Sequence, residues 1–354
     1  MDKQLILDIC EGKSELSVLD LSDNSKDFLL RLCTVLISRG YENPFLKKSF
    51  KLITDNKISI LKRNFNSLQK TILSKDRTAI TITFGDQAEN HAGMQIIGKM
   101  AEHGFTIDEL KKTKSLFESQ GCTCEYINLK QRLLDTWSNP DNINIDDAGV
   151  LLIRNGVSHI LREVGYNADS MFEEQAHLNL DTKAFMKGRV VNKVARHNVC
   201  FDETEQEPDY SNKKGRIVKY DDVPVTKYLR YSFPKYLGNS ATKLAGEGNY
   251  YYDISICGIG WHGDTERKKV VAVRLGSSIP LSYQWFYRHK IIGKRIDIPK
   301  INHGDIYVMS EKASGFDWKS SSFATLRHAA GSQKFLKYKP EWLEKRKDNN
   351  RRKV

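Results

Sequence analysis

The feature that most constrains the fold is a change of hydrophobic rhythm near Arg216. Beyond it, apolar residues fall in short β-rich runs, over 248–256, 269–275, 283–287 and 305–309, with turn-forming residues between them. Strands this short must pair and stack to build a core, which calls for an antiparallel sandwich or barrel. The N-terminal end obeys a different period. Phe28, Leu29, Leu32, Val35 and Leu36 recur at helical spacing and Gly40 suits a stop, while Leu61, Phe65, Leu68 and Ile72 mark a later helix. Between these ends, Ala79-Ile-Thr-Ile-Thr-Phe84 alternates like a strand. The polar stretch Gly85-Asp-Gln-Ala-Glu-Asn-His91 reads either as a capped turn or as ligand groups at a strand end. Helices are expected over 93–102 and 110–119, and strands over 124–129 and 150–154. The expectation is an α+β protein in three parts: a helical region over 1–75, a small α/β domain over 76–170, and a β-rich domain over 171–354 ending in a basic tail. Residues 202–215, acidic and then polar, read as an exposed loop.

Charge bears on partners. The chain carries a net +12 over 354 residues, which favours polyanions, DNA or RNA above all, although a solvated lysine surface gives the same count. Part of the surplus lies in the tail Lys345-Arg-Lys-Asp-Asn-Asn-Arg-Arg-Lys-Val354. No apolar run reaches the roughly 18 residues of a membrane helix. The stretch Met1–Cys10 is a poor signal peptide, so an intracellular location, cytoplasmic or nuclear, is expected. The six cysteines lack framework spacing and read as reduced thiols; Cys122-Thr-Cys124 is the only close pair.

Chemistry concentrates in the last third. His262 and Asp264 stand in Gly258-Ile-Gly-Trp-His-Gly-Asp264, and His328 stands in Thr325-Leu-Arg-His-Ala-Ala-Gly331. Two imidazoles and one carboxylate form the facial ligand set of non-haem Fe(II) oxygenases, which leaves positions open on the metal. On a strand, residues i and i+2 share a face, so His-x-Asp can present both ligands together. His289 and His303 are rival third ligands.

The surrounding runs follow in a telling order: Gly248-Asn-Tyr-Tyr-Tyr-Asp253, Gly260-Trp-His-Gly-Asp264, Val270-Val-Ala-Val-Arg-Leu-Gly276, Gly304-Asp-Ile-Tyr-Val-Met-Ser310, then His328. Over roughly residues 180–340 this resembles the AlkB-like branch of the Fe(II)/2-oxoglutarate oxygenases. The resemblance implies a C-terminal double-stranded β-helix, or jelly roll, with Fe(II) on His262, Asp264 and His328, and with 2-oxoglutarate and O₂ as cosubstrates. It places Asn249 and Tyr251 or Tyr252 against 2-oxoglutarate. It further implies hydroxylation or oxidative demethylation, most often of an alkylated base in nucleic acid; a protein or small-molecule substrate, or a non-catalytic jelly-roll binding protein, are the alternatives. One departure stands out. The family carries arginines beyond the distal His to pair with the cosubstrate, whereas here no Arg follows His328 until Arg346. Lys334, Lys337, Arg327 and Arg274 are the substitutes in reach, Lys334 provided that a turn at Gly331-Ser332 leads into a further strand. For substrate contact, Trp285 and Tyr287 offer stacking and Arg288 opens a basic patch with His289, Lys290, Lys294 and Arg295. Trp261, next to a ligand, points to the opposite face.

Overall fold

The helical rhythm of the N-terminal end produces α1 (Asp23–Ser38) and α2 (Pro44–Asn66) in the computed structural model, which describes residues 18–66, 73–140 and 142–343. Ser22 caps α1 by accepting from the Ser25 amide, and Leu29, Leu30, Cys33 and Ile37 form its buried stripe. Leu68, Ile72, Cys10 and the basic tail lie outside the described residues.

Strand β1 (Ala79–Gly85) follows, then a small hairpin of β2 (Gln87–Glu89) and β3 (Ile96–Gly98). Sequence rhythm predicts a helix over 93–102, and the structure corrects this. Gly93 and Gly98 both adopt left-handed backbone, with φ of +84° and +82°, and that conformation ends a helix. Next come α3 (Ile107–Ser119), β4 (Cys124–Asn128), α4 (Leu129–Leu134), β5 (Gly149–Ile153), α5 (Gly156–Leu161) and α6 (Ala168–Ala176). A second hairpin, β6 (Lys183–Met186) and β7 (Arg189–Asn192), precedes β8 (His197–Asp202), β9 (Ile217–Lys219) and α7 (Pro224–Leu237). The remaining strands are β10 (Ala245–Tyr251), β11 (Gly258–His262), β12 (Val270–Gly276), β13 (Leu281–Tyr287), β14 (Lys290–Asp297) and β15 (Ile306–Met309). After them come α8 (Glu311–Ser314), β16 (Thr325–Gly331) and α9 (Pro340–Leu343).

Two sheets carry the architecture. An eight-stranded sheet runs β4-β5-β15-β12-β1-β10-β8-β9, and a four-stranded sheet runs β11-β16-β13-β14. Every pairing is antiparallel except β8 with β9. This is an α+β fold, but the expected boundary near residue 170 divides neither sheet nor core. Strand β1 lies between β10 and β12, and β5 pairs with β15. The stretch 76–170 therefore shares one sheet with residues 245–309, because its strands leave backbone groups that only those partners satisfy.

The strand period of two sorts side chains to the two faces of the large sheet. Ile80, Ile82, Phe84, Val271 and Val273 join Leu29, Phe50, Leu229 and Phe233 under the helices. On the other face, Ala79, Tyr251, Val270, Ala272, Tyr307 and Met309 join Tyr283, Trp285, Ile296 and Leu326 of the small sheet. The helical layer is tied down by charge as well. Asp221, ahead of α7, takes ion pairs from Arg31 of α1 and from the buried Lys227 of α7. Among the described residues, no helix is long and apolar enough to cross a membrane.

Candidate metal centre

Strands β11 and β16 are neighbours, and their register sets His262 directly opposite His328. The chain leaves β11 at His262, and the Asp264 amide donates to the Ser314 carbonyl at 3.0 Å, which fixes the carboxylate beside the imidazoles. The Nε2 atoms of His262 and His328 each lie 3.6 Å from Asp264 Oδ1. One ligand atom from each of the three residues falls within 4.8 Å of the others. Among the described residues no further side chain of this kind joins Cys122 and Cys124. Gly263 is required between the two ligands: a Cβ there would stand 2.0 Å from the Gly315 carbonyl oxygen and 2.7 Å from Trp318 Cδ1.

The protonation states suit metal ligands, which must be neutral imidazoles and an ionised carboxylate. Burial, and then the neighbouring His328, pull His262 down to about 3. Burial pushes Asp264 up, but Arg267 and the two imidazoles outweigh it and hold the carboxyl below its usual range. His262 Nδ1 lies 2.8 Å from the Gly260 carbonyl and 3.1 Å from that of His328; a proton there leaves Nε2 with its lone pair free.

The triad opens into a cavity of about 460 Å³ between the two sheets. The same cavity is lined from the large sheet by Asn249 of β10, Thr81 of β1 and Arg274 of β12. Thr81 is in register with both neighbours, so the three stand in one row across three strands. Arg274 is 1% exposed, and its Nε and Nη1 find no protein partner; neither does Thr81 Oγ1. Burial lowers the Arg274 pKa, with Tyr307 and Tyr251 acting against it. Buried donors without acceptors, lining a cavity, are the mark of an anionic ligand. Asn249 Oδ1 accepts from Arg196 at 2.6 Å and from Asn198 at 2.7 Å. Arg267 pairs with Glu247 and with Glu266 and approaches Asp264 to 3.8 Å. Glu89, from the β2–β3 hairpin, also lines the cavity; burial pushes it up to about 7, against the 2.7 Å bond from the Gly93 amide.

The structure sorts the residues expected from sequence. His262, Asp264, His328, Asn249, Tyr251 and Arg274 all line the cavity. Tyr252, the first residue past β10, turns away from the cavity; it stacks on His197 and donates to the Val194 carbonyl at 3.0 Å. Lys334 and Lys337 are exposed and do not reach the cavity: Gly331 leads into a 3-10 turn over Gln333–Phe335 instead of a returning strand. Arg327 is buried away from the cavity lining, 3.9 Å from the Phe286 ring centroid and flanked by Trp318 and Trp342. Trp285 is no substrate platform, since it is wholly buried between the sheets with Nε1 donating to the Leu129 carbonyl at 3.0 Å. Tyr287 and Arg288 lie at the far end of β13, outside the cavity lining, and Arg288 and His289 form the turn to β14. His303 sits in a turn, its Nδ1 accepting from the Gly276 amide. Trp261 stacks on Tyr338. Sequence reading missed Thr81, Arg196, Glu247, Arg267 and Tyr307; for Thr81, the alternation of its strand was the available signal.

Fold and cavity together define an α+β protein whose two sheets enclose a two-histidine, one-aspartate cluster. No family model matches the chain. It is 43% identical over 265 residues, 75% of its own length and 100% of the relative's, to the uncharacterized protein R156 of Acanthamoeba polyphaga mimivirus. The chain belongs to one family with that viral protein.

Proposed function

We propose that the protein is an Fe(II)- and 2-oxoglutarate-dependent oxygenase built on a double-stranded β-helix. The observation that carries the reading is the placement of Arg274, buried and with Nε and Nη1 left without a protein partner, across one cavity from the His262–Asp264–His328 cluster. A metal and an anion would each find a prepared partner there.

The strand path supports the fold part of the reading. From β10 to β16 the chain alternates between the large and the small sheet, with β13 and β14 as a hairpin in the small one. With β1 these strands make an eight-strand roll. Among the described residues nothing after β16 returns to the large sheet; the slot between β10 and β12 is filled by β1, from the other end of the sequence. The closing strand of the roll is thus an upstream segment.

His262, Asp264 and His328 would hold the iron, and Arg274 with Thr81 would hold the far carboxylate of 2-oxoglutarate, as a guanidinium fork suits a carboxylate. Bound there, the iron with 2-oxoglutarate and O₂ supplies the oxidising power that hydroxylates a C–H bond and, on an N-methyl group, leads to loss of formaldehyde. The chain's own residues orient and shield. Asn249, fixed by Arg196 and Asn198, presents a polar wall, and Arg267 keeps Asp264 ionised while neutralising Glu247. Nucleic acid as substrate rests on the resemblance and on the net charge of +12.

Succinate release tests the reading. The reconstituted protein is expected to convert 2-oxoglutarate to succinate slowly without substrate, and Asp264→Ala is expected to abolish this. Turnover equal to that of the variant, with any candidate substrate, would refute it.

A further inference from the structure

We infer that residues 333–343 form a strap that seats both imidazoles of the metal cluster from behind, with Tyr338 and Trp342 as positioning residues for metal binding. The inference rests on the metal reading of the His262–Asp264–His328 cluster and names what keeps its two histidines in place.

The sheet itself creates the need for support. Strand β11 stands at the edge of the small sheet, and among the described residues its one strand neighbour is β16. The register of that pair shifts between Ile259 and His262, so the ladder is disrupted just ahead of the first ligand. Backbone pairing alone therefore leaves His262 loosely held, whereas a functional site must hold its groups to within about half an ångström by locking their rotamers from outside.

The strap supplies that lock. After Gly331 the chain turns through Gln333–Phe335 against β11 and β16, and α9 then packs on β14. The turn sits so close to β11 that a Cβ on Gly258 would stand 2.4 Å from Phe335 Cδ2. On each ligand strand the residue before the histidine takes the face away from the cavity: Trp261 precedes His262 and Arg327 precedes His328. The strap grips both. Trp261 is buried, stacks on Tyr338 with ring centroids 5.2 Å apart, and donates from Nε1 to the Leu336 carbonyl at 3.2 Å. Arg327 is buried with its Nε unpartnered, and its guanidinium lies 4.9 Å from the Trp342 ring centroid. Two further contacts tie the strap to the sheet. The Tyr338 hydroxyl donates at 2.6 Å to Oε1 of Gln284, the cross-strand partner of Arg327, and Trp342 meets Phe286 edge to face at 5.3 Å. The strap thus presses on the immediate neighbour of each imidazole. It is held by side chains, with no backbone ladder of its own, so its grip can be removed while the sheet stays paired.

The test is anaerobic calorimetric titration of Fe(II) into the full chain. Tyr338→Ala/Trp342→Ala should bind iron roughly 10–100-fold more weakly than the parent, the loss typical when the outer support of a metal ligand is removed. Tyr338→Phe/Trp342→Phe keeps both aromatic contacts and should bind like the parent. Trp342→Ala alone removes one half-buried ring, a change the fold tolerates, and should show part of the loss. Tyr166→Ala takes a ring from the helical layer, where it packs on Phe50; it should lower the melting temperature and leave the iron affinity unchanged. Hydrogen exchange of the parent gives a reading without mutation. Coupling is reciprocal, so bound Fe(II) should slow exchange of the amides over 333–343 by up to the same factor. Unchanged iron affinity in the two alanine variants, an equal loss in Tyr166→Ala, or exchange in the strap indifferent to iron would each overturn the inference. Iron binding that ignores the strap counts against the strap alone, whereas a parent protein that binds no iron counts against the metal site and the oxygenase with it.

Discussion

Arg274 holds a buried charge with two nitrogens lacking protein partners, and leaving such donors unsatisfied costs about 1–3 kcal/mol or more. Arg274→Met should therefore melt at or above the temperature of the parent when no ligand is added, and should lose the upward shift that 2-oxoglutarate gives the iron-loaded parent; thermal denaturation with and without cosubstrate checks both. Lys334→Ala and Lys337→Ala should leave that shift intact, since both side chains are exposed and away from the cavity. Gly263→Ala is expected to fold yet bind Fe(II) at least tenfold more weakly, because the added Cβ collides with the Gly315 backbone and displaces Asp264. At this scale the sequence was legible where chemistry is local. His-x-Asp is a short-range pattern, even though Asp264 lies just past the end of β11, and Trp261 obeys the alternation that its neighbours set. Arg274 was one of four candidate cations and could not be singled out, because it reaches the cavity by cross-strand register with Thr81, nearly 200 positions away, and no spacing along the chain encodes that pairing.

Among the elements, α1 and α7 meet through Asp221. Asp221→Asn leaves the buried Lys227 without its counter-ion and should cost about 3–5 kcal/mol in urea denaturation at neutral pH. Burial pushes the Asp221 carboxyl up, but Arg31 and Lys227 outweigh it and hold it well below the usual carboxylate range. A depressed folded pKa contributes stability that is full above the unfolded value of about 3.9 and is lost as pH falls through the folded one. The stability gap between parent and variant should thus be constant near neutrality and shrink under strong acid. The helices over Asp23–Ser38 and Ile107–Ser119 were legible from periodicity, and so were the strands over Cys124–Asn128 and Gly149–Ile153. The β2–β3 hairpin was not, because Met94, Ile96 and Ile97 mimic a helical stripe, while the left-handed glycines that break it are set by tertiary fit: a Cβ on Gly98 would stand 2.4 Å from the Asp86 carbonyl oxygen.

For the whole molecule, the sheet order decides what can fold alone. Strand β1 sits between β10 and β12, so a fragment of residues 171–354 would lack the strand that joins them. Such a fragment should show no cooperative thermal transition by circular dichroism, and a sharp two-state transition would contradict the dependence of the large sheet on β1. The three-part division read from sequence failed here because composition changes along the chain, whereas strands pair across it. The same sheet order brings Thr81 and Arg274 into one cavity with His262, Asp264 and His328, and that juxtaposition is open to one direct check: calorimetric titration of 2-oxoglutarate, without oxygen, into the parent protein before and after loading with Fe(II). One iron per chain should bind through His262, Asp264 and His328, and 2-oxoglutarate should then bind with a stoichiometry of one, weakly or not at all without iron and at least tenfold more weakly in Arg274→Met. Failure of the chain to bind iron, or cosubstrate binding indifferent to both iron and Arg274, would contradict the oxygenase reading.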